Sequence, residues 1–144
     1  MTSSNHDEEM RYVELQEVAL NYARHGETEE LRAMLEHQLP VNLADHKGNT
    51  LLMLAAYHDH PETVQLLIDS GAEPDRRNDR NQTPLAGVAF KGYATVASIL
   101  LASGADPLAP QGAGENGEEM TPLAFAKLFG RTEVEQLLTA AISS

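Results

Sequence analysis

Apolar residues in this chain come in paired blocks set between polar stretches. Leu51–Ala56 is followed by Val64–Ile68, and Leu85–Phe90 by Val96–Leu101. The first block of each pair is short and alanine-rich. The second spaces its large residues by three and four, as in Val64, Leu67 and Ile68 or Val96, Leu100 and Leu101, which is the stripe of an amphipathic helix. The boundaries agree. Thr50, Thr83 and Thr121 stand where a hydroxyl accepts an orphan backbone N–H. Pro84 and Pro122 then fill the first helical position, where no donor is required. Gly26, Gly92 and Gly130, with Asp59 in the remaining unit, follow nine residues after each start, the place for the positive φ of a tight turn. Gly71 and Gly104 match helix-terminating glycines. The polar run Glu73–Gln82 then predicts a projecting hairpin, or finger.

These units recur at a fixed step. Thr50 aligns with Thr83, Leu52 with Leu85, Ala56 with Ala89, Leu67 with Leu100 and Gly71 with Gly104, all 33 residues apart. One step back, Glu17, Ala23, Gly26, Met34 and Asn42 fall in register. One step forward the pattern restarts at Thr121 after 38 residues, so five are inserted. Such self-similarity marks a repeat architecture, in which each unit buries its apolar side only by stacking on the next.

The motifs Thr83-Pro84-Leu85, Thr121-Pro122-Leu123, Ala55-Ala56, Leu66-Leu67, Leu100-Leu101, Gly71-Ala72 and Gly104-Ala105-Asp106 resemble the ankyrin repeat over nearly the whole chain. The resemblance implies an all-α solenoid of stacked helix–turn–helix units with projecting fingers. We expect a flexible N-terminus at 1–7 and one domain at 8–142. Its repeats fall at about 8–43, 44–77, 78–109 and 110–142, the first and last degenerate, with an inserted finger loop at 110–120. The chain departs from the family in having Met53, Ala86 and Ala124 where a histidine usually follows the Thr-Pro-Leu motif.

Family members usually bind proteins through a concave face of finger tips and first helices. The matching fingers offer His46, Lys47 and Asn49, then Asp79, Arg80 and Gln82. The matching helix ends offer Arg24 and His25, Tyr57 and His58, Phe90 and Lys91, and Leu128 and Phe129. One helix position holds Arg24, Tyr57, Phe90 and Leu128 in the successive units. In a chain only 5% aromatic, this stripe is a candidate set of binding hot spots.

Charge sharpens the picture. The net charge is −12, which disfavours generic nucleic-acid binding. The acids crowd the ends, whereas residues 78–109 carry two acids and two bases, and Lys47, Arg76, Arg77 and Arg80 make the middle fingers locally basic. With no Cys, disulfides and thiolate metal sites are excluded. The segment Met1–Met10 has no basic or apolar signal region, so a cytoplasmic protein without membrane contact is expected. The insertion Pro110–Met120, with three Gly and three Glu, reads as a mobile, solvated loop.

Enzymatic chemistry has little to stand on. His58-Asp59-His60 is the densest candidate metal cluster, but no third ligand has an obvious completing position. Phosphate-cradling glycine loops and nucleophile elbows are absent. The expectation is a non-catalytic module without cofactor, monomeric when free, that holds a partner protein. It would serve as an inhibitor of immunity type, as an accessory factor for an oxidative-stress enzyme, or as a subunit of a larger complex.

Overall fold

The computed structural model describes residues 3–114 and 117–143. Among these residues it contains eight helices: α1 (Ser3–His25), α2 (Thr28–Glu36), α3 (Leu51–Tyr57), α4 (Pro61–Asp69), α5 (Pro84–Lys91), α6 (Ala94–Ala102), α7 (Pro122–Leu128) and α8 (Thr132–Ser143). Extended pairing among them is limited to two isolated antiparallel bridges, Ala44–Thr50 and Ala113–Glu119. The odd-numbered helices pack in one layer and the even-numbered ones in a second. This is the all-α repeat solenoid read from the 33-residue step.

The threonine caps form in each repeat that has one. The hydroxyls of Thr50, Thr83 and Thr121 accept from the N–H groups of Met53, Ala86 and Ala124 at 3.1, 3.3 and 3.1 Å. The turn position has positive φ throughout, at Gly26, Asp59, Gly92 and Gly130. At Gly26 a side chain would also strike the imidazole of His60 from the next repeat. Alanine keeps the first layer thin: Ala19, Ala23, Ala55, Ala56, Ala89 and Ala126 are fully buried. The first helices therefore approach more closely than the second helices do. The fingers stand beside the first helices and share hollows with them, on what is here the inner side of the stack.

Three expectations change. The lead-in at 1–7, expected to be flexible, is helical from Ser3 onward, residues 1 and 2 lying outside the described set. Glu17, which aligns with the capping threonines, sits inside α1 and starts nothing. Helix-favouring residues such as Glu8, Glu9, Met10 and Arg11 carry the helix through it. Secondly, the inserted finger is a paired hairpin. Gln111 N–H donates to Met120 O at 2.7 Å, Met120 N–H to Gly112 O at 2.8 Å, and Met120 is buried. Residues 115 and 116 of that loop lie outside the description. Thirdly, Ile68 and Leu101 are half-buried at the edge of the core. Thr63 occupies an interior place instead, its hydroxyl 2.7 Å from that of Thr28 in the preceding repeat.

Neighbouring repeats are also clamped by side chains that replace a backbone partner. Asn42 Oδ1 accepts the Glu73 N–H at 3.1 Å, and one step later the Asp75 carboxylate accepts the Asp106 N–H at 3.1 and 3.2 Å. The two clamps differ in charge. Burial pushes the Asp75 carboxyl above its ordinary value. The Asp106 N–H draws it back, the Asp106 charge raises it again, and Arg77 lowers it. The charged form therefore costs the folded state something as pH rises through that raised value, and nothing when the group is protonated in both states.

Two stability measurements follow. Leu85→Ala and Leu100→Ala, both fully buried, should each lose about 2–5 kcal/mol in urea unfolding. Asp75→Asn, which copies the Asn42 clamp, should raise the urea midpoint at pH 7, and the gain should vanish by about pH 3. A midpoint lowered at pH 7 would show that the charge itself is needed.

Candidate functional site

The inner face is built from fingers whose tips are internally bonded. In the first, the Asp45 carboxylate accepts from the N–H groups of Lys47 and Asn49, both at 2.9 Å, and from Asn49 Nδ2 at 3.3 Å. Burial alone would raise its pKa, but these donors and nearby His46 hold it below the ordinary carboxylate value. One step later Asn78 does the same work without charge, its Oδ1 accepting from Arg80 and Gln82 N–H at 3.0 Å each. The fingers then bond to each other. Asp79 N–H donates to Lys47 O at 2.9 Å, and Asn78 Nδ2 to Asn49 Oδ1 at 2.9 Å. Arg77 donates to Asn81 O and Pro110 O, each at 2.7 Å, and ties the second finger to the third. Gln111 of the inserted hairpin accepts the Thr83 N–H at 3.0 Å.

This ladder leaves two adjoining hollows. One, of about 330 Å³, is lined by His46, Lys47, Asn49, Tyr57, Asn78, Asp79, Arg80 and Gln82. The other, of about 420 Å³, is lined by Tyr57, Arg80, Gln82, Ala86, Gly87, Phe90, Lys91, Gln111 and Phe125. Tyr57, Arg80 and Gln82 belong to both, so the hollows form one groove between fingers and first helices. Its floor is aromatic, and its rim sets Lys47, Arg80 and Lys91 against the one carboxylate of Asp79. Among the described residues, no ion pair engages Lys47, Arg80 or Lys91, although Lys91 Nζ stands 5.9 Å over the Tyr93 ring.

The structure thus brings together His46, Lys47, Asn49, Tyr57, Asp79, Arg80, Gln82, Phe90 and Lys91. The others fall outside the groove. Arg24 is occupied by Asp45 at 3.6 Å and Asn21 at 2.7 Å. His25 and His58 each set Nδ1 on the carbonyl four residues earlier, at 2.9 and 2.8 Å. Leu128, the fourth member of the expected stripe, is 67% exposed and lines neither hollow. The face that α7 turns to α5 carries Phe125 and, one helical turn on, Phe129, whose ring meets Phe90 edge-on at 4.6 Å. Leu128 stands beside that face.

Tyr57 serves both the groove and the packing between repeats. Its ring lies across Gly87 of the next repeat, where any side chain would overlap it, and it also floors the groove. Burial raises its phenol pKa. Gly87, Phe125 and Gln111 were not among the sequence candidates. Gly87 did leave a signal, because a mid-helix glycine costs about 1 kcal/mol against alanine and marks a close approach. The histidine turn is also engaged: His60 Nε2 lies 2.8 Å from Arg24 O. Among the described residues, no three His, Cys, Asp or Glu side chains converge as metal ligands.

Comparison with known proteins agrees with this architecture. A family model for ankyrin repeats, in three copies, matches residues 4–78 and 20–111. The rat oxysterol-binding protein-related protein 1 is 38% identical over 94 residues, 57% of this chain and 10% of that protein. A Pseudomonas aeruginosa protein named for its ankyrin repeats is 44% identical over 67 residues, 46% of this chain and 39% of that protein. Human ankyrin repeat domain-containing protein 63 is 33% identical over 73 residues, covering 51% and 19%. The chain spans about a tenth of the first relative and well under half of the others. No helix among the described residues is long and apolar enough to cross a membrane.

Gly87→Ala should force the Tyr57 ring off α5, with a loss of about 1–3 kcal/mol in stability and a change in the near-ultraviolet tyrosine signal. Unaltered stability and signal together would refute the close approach.

Proposed function

The chain belongs to the ankyrin-repeat family, and from that premise we propose that its inner groove holds an acidic segment of another protein, anchored by an apolar or aromatic side chain. Ankyrin repeats are protein-interaction modules, generally without catalysis. The observation that carries the finer reading is the contrast in charge. A protein of net charge −12 presents Lys47, Arg80 and Lys91 around a floor of Tyr57, Phe90 and Phe125. Aromatic side chains in a desolvated hollow supply affinity. The cations on the rim steer encounter and select acidic partners. The fingers are held to one another by backbone and amide bonds, so little ordering is required on binding, and a preorganised surface keeps more of its contact energy as affinity.

The test begins with a partner captured from lysate of the source organism and titrated by calorimetry. Tyr57→Ala with Phe90→Ala should weaken binding at least tenfold, about 1.4 kcal/mol. Lys47→Glu with Arg80→Glu should weaken it further at low salt than at high. Full affinity in both variants would remove the groove from consideration.

A further inference from the structure

The two ends of the stack differ. A repeat array stays soluble when its outermost units turn a polar face to water. Along α8 the exposed positions include Glu133, Gln136 and Thr139, with Ile142 its one exposed large apolar residue. The opposite end is not finished in this way. α1 has 23 residues, whereas α3, α5 and α7 have 7, 8 and 7. Its N-terminal half overshoots the layer, and residues 6–15 are all exposed. Met10, Tyr12, Val13 and Leu15 stand there at 47–54% exposure, and Val18 follows at 38%.

This stretch has both shape and charge. Tyr12 and Leu15 form one wall of a cleft of about 380 Å³, and Met34, Leu39 and Pro40 form the other. Glu8 and Glu9, which share a hollow with Tyr12, put acid beside the cleft, and α1 carries Asp7, Glu14 and Glu17 as well, against Arg11 alone. Among the described residues, none of these acids is in an ion pair. A helical segment this short is marginal in water by itself, so a partner that packs on it would also stabilise it.

We propose that this cleft docks a basic amphipathic helix of another protein. Apolar residues at three- and four-residue spacing would lie between α1 and the end of α2, as a third helix in the groove of two. Flanking Lys and Arg would meet the unpaired acids. A second copy of this chain fits poorly, since its own α1 would bring like charge to the contact. This surface is separate from the inner groove and prefers the opposite charge.

The experiment titrates the full chain against a labelled Leu/Lys amphipathic peptide of roughly 18 residues, about five helical turns, read by fluorescence anisotropy. The peptide should bind, less tightly as salt rises, and a Leu/Glu peptide should not. Tyr12→Ser with Leu15→Ser should reduce affinity at least tenfold. Glu8→Gln with Glu9→Gln should reduce it several-fold and flatten the salt dependence. Tyr57→Ala with Phe90→Ala should bind as wild type, which separates this site from the groove. Unchanged binding by the Tyr12/Leu15 variant would overturn the proposal. So would equal binding of the Leu/Glu peptide, or a wild-type dimer in sedimentation that the same variant dissolves. Circular dichroism establishes that each variant keeps its helices.

Discussion

Close approach between thin first helices is the constraint on which this protein rests. No single unit buries its apolar side, and the core exists only where one helix pair lies against the next. Alanines at Ala23, Ala56 and Ala89, all fully buried, let backbones come together where larger residues would hold them apart. The large side chains that seal the core, such as Leu67, Leu85, Leu100 and Leu138, are equally enclosed. A change of volume in the first layer is therefore felt by two repeats at once, which is why Gly87 and the Tyr57 ring form one packing unit.

The fingers are ordered by a different interaction. Their polar side chains take the place of missing backbone partners, and do so at the same step as the core. Asp45 and Asn78 close their own turns, while Asn42 and Asp75 reach to the next unit. The period is thus enforced twice, by apolar packing inside and by hydrogen bonds outside. Asp and Asn exchange at these places from one repeat to the next, so the same acceptor geometry is met with and without charge. The charge then adjusts stability with pH.

A surface assembled in this way is electrically divided. The groove concentrates cations and aromatic rings in the middle of the stack, while the projecting half of α1 is acidic and apolar. Net charge alone would have assigned one sign to the whole protein. Local arrangement gives two surfaces of opposite charge, and the linear order of repeats keeps them apart.

The sequence by itself determined the period, the helix pairs, the threonine caps and the positions that need positive φ. Each of these depends on residues close together in the chain or on a repeated spacing. It also put nine of the fourteen candidate residues beside the groove, because equivalent places in equivalent units face the same way. What only the tertiary structure decided were contacts between units. Leu128 lost its place to Phe125 because α7 turns another side toward the groove. Arg24 was taken by Asp45, and the inserted loop closed into a hairpin. The overshoot of α1 likewise became visible only against the length of its neighbours. A repeat pattern specifies what each unit is, but the side chain that reaches the surface depends on the unit packed beside it.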